Sequence, residues 1–134
     1  MSLTFIHDFQ KTIYNTLILE QKLTNLINKI YIGPALNVKA PFITVHFNKL
    51  EDISQFQRII YNIEFIISVY IQETYYYQLS NIADIVIDNI LKIRHLSVNC
   101  QVIGIKLSTI NFIDARDSAI HKADIHFKSS IAKK

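Results

Sequence analysis

Apolar residues recur at two different periods along this chain, and the changes between them lay out its elements. Ile6, Phe9, Ile13 and Leu17 stand three or four apart, the spacing that lines one face of an α-helix. A helix is predicted from about residue 4 to 20, with Thr4 as its N-cap and Asp8 in its first turn, where a carboxylate suits the positive end of the helix dipole. Leu23, Leu26, Ile27 and Ile30 suggest a short second helix with Lys22 or Thr24 near its start, halted by Gly33-Pro34. Residues 33–41 then read as a loop.

Period two follows. From Phe42 to Asn48, Ile43, Val45 and Phe47 alternate with Thr44, His46 and Asn48, as in a strand with one buried face. A polar, charged connection from Lys49 to Arg58 leads to the longest alternation, Ile59 to Ile71. There every odd position is apolar, while the even positions include Asn62, Glu64, Ser68 and Gln72. Ile60, Ile66 and Tyr70 also fall on the even face, more apolar surface than a solvated face carries, and cover by another chain is the expected reason. Leu79, Ile82, Ala83, Val86, Ile90 and Ile93 restore the helical stripe, ending at Arg94 and His95, cations that suit a helix C-terminus. Gln101 to Ile113 reads as a strand through Ile103, Ile105 and Leu107, after which the apolar parity shifts to Ile110 and Phe112. A bulge near Ser108 or Thr109 would produce that shift. Asp114-Ala115-Arg116-Asp117 has turn composition, and Ala123, Ile125, Phe127 and Ile131 complete a C-terminal hairpin. The order helix, short helix, strand, strand, helix, strand, strand predicts an α+β fold in which a mostly antiparallel four-stranded sheet packs against two helices.

Composition adds bounds rather than detail. With 134 residues, 50% of them hydrophobic, and only two glycines and two prolines, residues 1–134 are expected to form one globular domain. A single cysteine, Cys100, cannot form an internal disulfide, so an intracellular setting is expected. The most apolar stretch is broken by Asn62, Glu64 and Ser68, which argues against a membrane span, and His7, Asp8 and Lys11 stand where a signal peptide would need an apolar run. The net charge of +3 is uneven: residues 92–134 carry eight basic and three acidic groups. These charges are dispersed along alternating segments, and a solvated face and tail explain them better than a polyanion site.

Candidate chemistry is sparse. No nucleophile-elbow pattern occurs, and Cys100 stands in the lead-in to a predicted strand. The chain is therefore expected not to be an enzyme. His121 and His126 have the look of a metal pair until strand geometry is applied, because an odd separation puts them on opposite faces. No glycine-rich phosphate loop is present, and no cofactor is expected. Asp114, Arg116 and Asp117 read as turn solvation. Tyr75, Tyr76 and Tyr77 lack the interleaved basic residues of a base-stacking surface, and read as a helix-to-sheet anchor or an oligomer contact.

Taken in order, several segments resemble the tail completion, or tail terminator, family of long-tailed bacteriophages, prophages and gene transfer agents. They are the first helix leading to Leu23-Thr24-Asn25-Leu26-Ile27 and Ile30-Tyr31, then Ala40-Pro41-Phe42-Ile43-Thr44-Val45, the strand Tyr61 to Tyr70, the amphipathic helix, Ile103 to Phe112, the Arg116-Asp117 turn and His121 to Lys128. The glycines that the family often places before the isoleucine-tyrosine pair and around the last turn are missing. The resemblance implies a structural protein whose copies form a hexameric ring. That ring caps the last ring of tail-tube subunits, stops tube polymerisation and presents a surface to head-completion proteins. It implies assembly in the bacterial cytoplasm and residence in the particle tail, without membrane or specific nucleic-acid contact. The expected assembly contacts are Lys49, Glu51, Asp52 and Arg58 in the charged connection, Ile60, Ile66 and Tyr70 on the even face, and Arg116 and Asp117 at the last turn. The alternative is a small nucleic-acid-binding or ligand-binding α+β module.

Overall fold

The helical stripe and the long alternation meet in one core. In the structure, a computed structural model describing residues 3–35, 39–72, 77–96, 99–114 and 120–134, helix α1 (Thr4–Ile18) buries Phe5, Phe9, Ile13 and Leu17 along one side. Its start differs from expectation. Leu3 holds the N-cap position without a side-chain cap, and no acidic residue lies in the first turn. Helix α2 (Gln21–Thr24) is a single turn whose N-cap, Glu20, accepts a hydrogen bond from the Lys22 amide.

The chain then leaves the helical conformation earlier than its apolar spacing suggests. Lys29–Ile32 is a strand, β1, lying parallel to β2 (Phe42–Asp52) in the register Ile30 to Ile43 and Ile32 to Val45. A four-residue strand is too short to display its own alternation, and what fixes it is pairing to a segment further along the chain. Leu23 and Ile27 are buried in the core ahead of it. At the exit of β1, Gly33 adopts φ +91°, a left-handed value that side chains disfavour, and its amide donates to Val45 O at 2.8 Å.

β2, β3 (Ile60–Gln72), β5 (Ile120–Lys133) and β4 (Cys100–Asp114) continue the sheet as antiparallel neighbours, giving the order β1-β2-β3-β5-β4. Among the described residues the sheet is thus five-stranded and mixed, where four mostly antiparallel strands were expected. The α+β class stands, with three helices among those residues including the single turn α2. β1, β2 and β5 run one way, β3 and β4 the other. α1 and α3 (Gln78–Ile90) cover one face, with α3 against β3 and β5.

Every odd residue of β3 from Tyr61 to Ile71 is buried, as the alternation predicts. Phe65 is the hub: it stacks on Phe127 at 5.1 Å between ring centroids and meets Phe9 edge-on at 5.3 Å. Such pairs add about 0.5–1.5 kcal/mol beyond the area they bury. From α3, Ile82, Val86 and Ile90 are fully buried in the same cluster. Among the described residues, the one deeply buried polar side chain on this face, Ser129, donates its hydroxyl proton to Ile63 O at 2.9 Å, so its donor is not stranded in the core. No described helix is long and apolar enough to cross a membrane.

β4 departs from expectation in its face. The predicted bulge at Ser108 is present, and a second falls at Ile103. The bulge at Ile103 therefore moves that residue out of the core-side row, which is instead Val102, Ile105 and Leu107, continuing after the Ser108 bulge as Ile110 and Phe112. Each of these residues stands directly opposite a β5 partner from Ala123 to Ile131. Only Val102 in this row is buried. Leu107 is 38% exposed and Phe112 55%.

Candidate assembly interface

The charged connection between β2 and β3 is strand and tight turn rather than an open loop. Lys49 to Asp52 belong to β2 itself, paired with Glu64 to Tyr61 after a bulge at Asn48. The turn closes with reciprocal backbone bonds between Gln55 and Arg58, at 3.0 and 2.8 Å. Gln57 takes φ +64° to make it, a left-handed conformation that costs a side chain about 1–2 kcal/mol. Ser54 fastens the base. Its hydroxyl accepts from the Ile60 amide at 3.0 Å, and its own amide donates to Asp52 Oδ1 at 2.8 Å. Ser54's hydrogen bonds hold the Asp52 carboxyl below the usual carboxylate range. The result is an ordered hairpin carrying Phe56 at its tip, 91% exposed. Leu50, Ile53 and Leu3 are also exposed. A large aromatic side chain between two glutamines in a turn was the sequence signal for this knob, and the polar character of the segment masked it.

Beside the hairpin, on the face turned away from the helices, the register aligns four charged residues across four strands: Lys49, Glu64, Lys128 and Lys106. Glu64 reaches Lys49 on one side and Lys128 on the other, each at 3.8 Å, and Lys49 also lies 3.9 Å from Glu51. These side chains are 32–58% exposed, so each pair contributes about 0–1 kcal/mol. The row walls a trough of about 480 Å³ whose floor includes Asn62, Ser130 and Gly104. Ser130 donates to Asn62 Oδ1 at 2.7 Å. A Cβ at Gly104 would meet nothing within 4 Å, so the trough is open above this glycine.

Further along the same face the apolar even positions are partly covered by their own neighbours. Tyr70 stacks on Phe42 at 4.4 Å, with the Lys122 ammonium 5.5 Å from its ring. Ile66 stands between His46 and His126 on the flanking strands and is half-buried, as is Ile60. Ser68 donates to Asp124 at 2.6 Å. Of the expected contact residues, the structure thus gathers Lys49 and Glu51 at the trough and puts Arg58 at the hairpin turn. Asp52 turns to the opposite face from Glu51. Arg116 and Asp117, with Tyr75 and Tyr76, lie outside the described residues. Tyr77 immediately precedes α3 and is exposed.

His121 and His126 fall on opposite faces, as their spacing requires. His121 Nδ1 lies 2.6 Å from Asp114 Oδ1, and His126 faces Asn111 at 3.4 Å. Among the described residues no three His, Cys, Asp or Glu side chains converge on a point that could hold a metal ion. Cys100 is buried.

No protein-family model matches the sequence, and no curated protein matches it either. Solved structures do. A chain from the virion of a native gene transfer agent particle is similar over 98% of this chain and 99% of its own, at 16% identity and a TM-score of 0.85. The gp17 protein of bacteriophage SPP1 is similar over 96% of this chain and 91% of its own, at 17% identity and a TM-score of 0.64. The likeness is one of fold. It extends nearly end to end in both cases, and both neighbours come from the group of particles that the sequence resemblance names.

Proposed function

We propose that this chain is a structural protein of a phage-type tail. Its copies form a hexameric ring that caps the tail tube, stops its polymerisation and joins the tail to head-completion proteins. The observation that carries this reading is the end-to-end likeness to a chain of a gene transfer agent virion. The hairpin and the outer sheet face support it, because they offer projecting and recessed surfaces for contact. On this reading the ordered hairpin Lys49–Arg58 and the outer face bearing Ile60, Ile66 and Tyr70 supply contacts to neighbouring copies and to the tube. The protein works without a cofactor and without catalysis. It assembles in the bacterial cytoplasm and stays in the particle tail.

The test is arrest of tube growth. Added to polymerising tube protein at a small fraction of its amount, the chain should shorten the tube-length distribution, because ends are rare and few caps suffice. An unchanged distribution would remove the capping function. A salt-sensitive shift with generic DNA in the same preparation would favour a nucleic-acid-binding module instead.

A further inference from the structure

The sheet has two edges, on opposite sides, and they differ. On one side β1 flanks β2 only as far as Val45, so His46 to Asp52 have no strand beyond them among the described residues. On the other side β4 ends the sheet: its edge is met at the start, where Gln101 bridges to His95 and the Val102 amide donates to Arg94 O at 3.1 Å, and from Ile103 onward no strand lies beyond it among the described residues. Proteins usually guard such an edge with charges, yet between Cys100 and Ile113 the only charged side chain is Lys106. That lysine is oddly placed. It stands directly opposite Lys128, a like-charge cross-strand pair that weakens a sheet, while the nearby carboxylate, Glu64, serves Lys128 and Lys49. Among the described residues no carboxylate lies within ion-pair distance of Lys106.

We infer that β4 of one copy pairs with the free half of β2, His46 to Asp52, of a second copy of this chain, so that the sheet continues from subunit to subunit. The directions agree. β2 and β4 run oppositely within one sheet, so a neighbour related by rotation about an axis along the strands brings its β2 antiparallel to β4 and keeps the alternation unbroken. Joining two different edges makes a heterologous contact, the kind that closes into a ring. Closure of a curved sheet also demands a stagger between strands. A shift of two residues from the level register moves the neighbour's Lys49 away from Lys106 and puts the neighbour's Glu51 beside it, supplying the missing carboxylate. This pairing rests on the ring reading above and adds to it which surfaces meet.

A charge exchange tests the pairing. Wild type, Lys106→Glu, Glu51→Lys and the double variant are purified, checked for folding by circular dichroism, and weighed by analytical ultracentrifugation at one concentration where wild type is assembled. Lys106→Glu replaces a like-charge pair within the subunit by an opposite one, so its fold is expected to survive. Each single variant should fall to the mass of a single chain, and the double variant should regain the assembled mass at low salt. Singles that assemble as wild type does, or a double variant that stays dissociated, would overturn the pairing while leaving the ring reading in place. A wild type that remains a single chain at every concentration, alone or with tube ends, would overturn both.

Discussion

β3 and β4 are the two strands whose comparison says most about this protein. Both are long, at 13 and 15 residues, and both alternate apolar with polar positions. β3 lies in the middle of the sheet under both helices, and its core-side row from Tyr61 to Ile71 is buried throughout. β4 lies one strand beyond the helix layer, and its equivalent row is buried only at Val102 while Leu107 and Phe112 face solvent. Period two reports that a strand has an apolar face. It does not report whether the chain itself supplies the cover. At β3 the cover is α1 and α3, whereas most of the β4 row has no such cover among the described residues.

The largest effect should come from the covered strand. Phe65→Ala removes the ring on which Phe9 and Phe127 converge, and chemical denaturation should show a loss of about 3–5 kcal/mol. A loss below about 1 kcal/mol would mean that β3 buries its other face. Leu107→Ser is the counterpart on β4. Denaturation of the single chain should register under about 1 kcal/mol, as for exposed sites, while subunit association weakens at least about tenfold, or about 1.4 kcal/mol. If the isolated chain unfolds as readily as the Phe65 variant, β4 is part of its own core and the contrast fails.

Phe56→Ser should be smaller still for the fold, within about 0.5 kcal/mol, since the ring is 91% exposed. Thermal melts of the single chain should overlay wild type, and any deficit should show only in assembly or tube capping. The smallest expected effect is at Asp52, whose carboxyl Ser54 holds below its ordinary range. A depressed folded pKa stabilises above the unfolded value of about 3.9 and loses that stabilisation as pH falls through the folded value. Asp52→Asn should therefore sit slightly below wild type at neutral pH and converge with it in acid. A gap that widens on acidification would show that the carboxylate is not favoured in the fold.

What could be read from the sequence followed local period. The stripe Phe9, Ile13, Leu17, the odd face of β3, the helix from Leu79 to Ile90, the bulge at Ser108 and the C-terminal hairpin all announce themselves within a dozen residues. β1 could not, because four residues show no alternation and parallel pairing with β2 is a non-local event. Ile103 misled for a related reason: a bulge in the register moved it out of the row its parity suggested. In the candidate interface, charge marked Lys49 to Arg58 as a place of interest. The alignment of Lys49, Glu64, Lys128 and Lys106 needed three strand registers that no single segment encodes. Phe56 was visible but lost among polar neighbours.

The most direct test of the contrast is amide hydrogen exchange, compared between the dissociated and the assembled protein. In the single chain the amides of β3 should be protected, while those of Gly104 to Thr109 that point away from β5 exchange quickly. On assembly these β4 amides should become protected together with the free half of β2, His46 to Asp52. If they exchange as fast in the assembly as in the single chain, the β4 edge remains open to water and copies of this chain meet elsewhere.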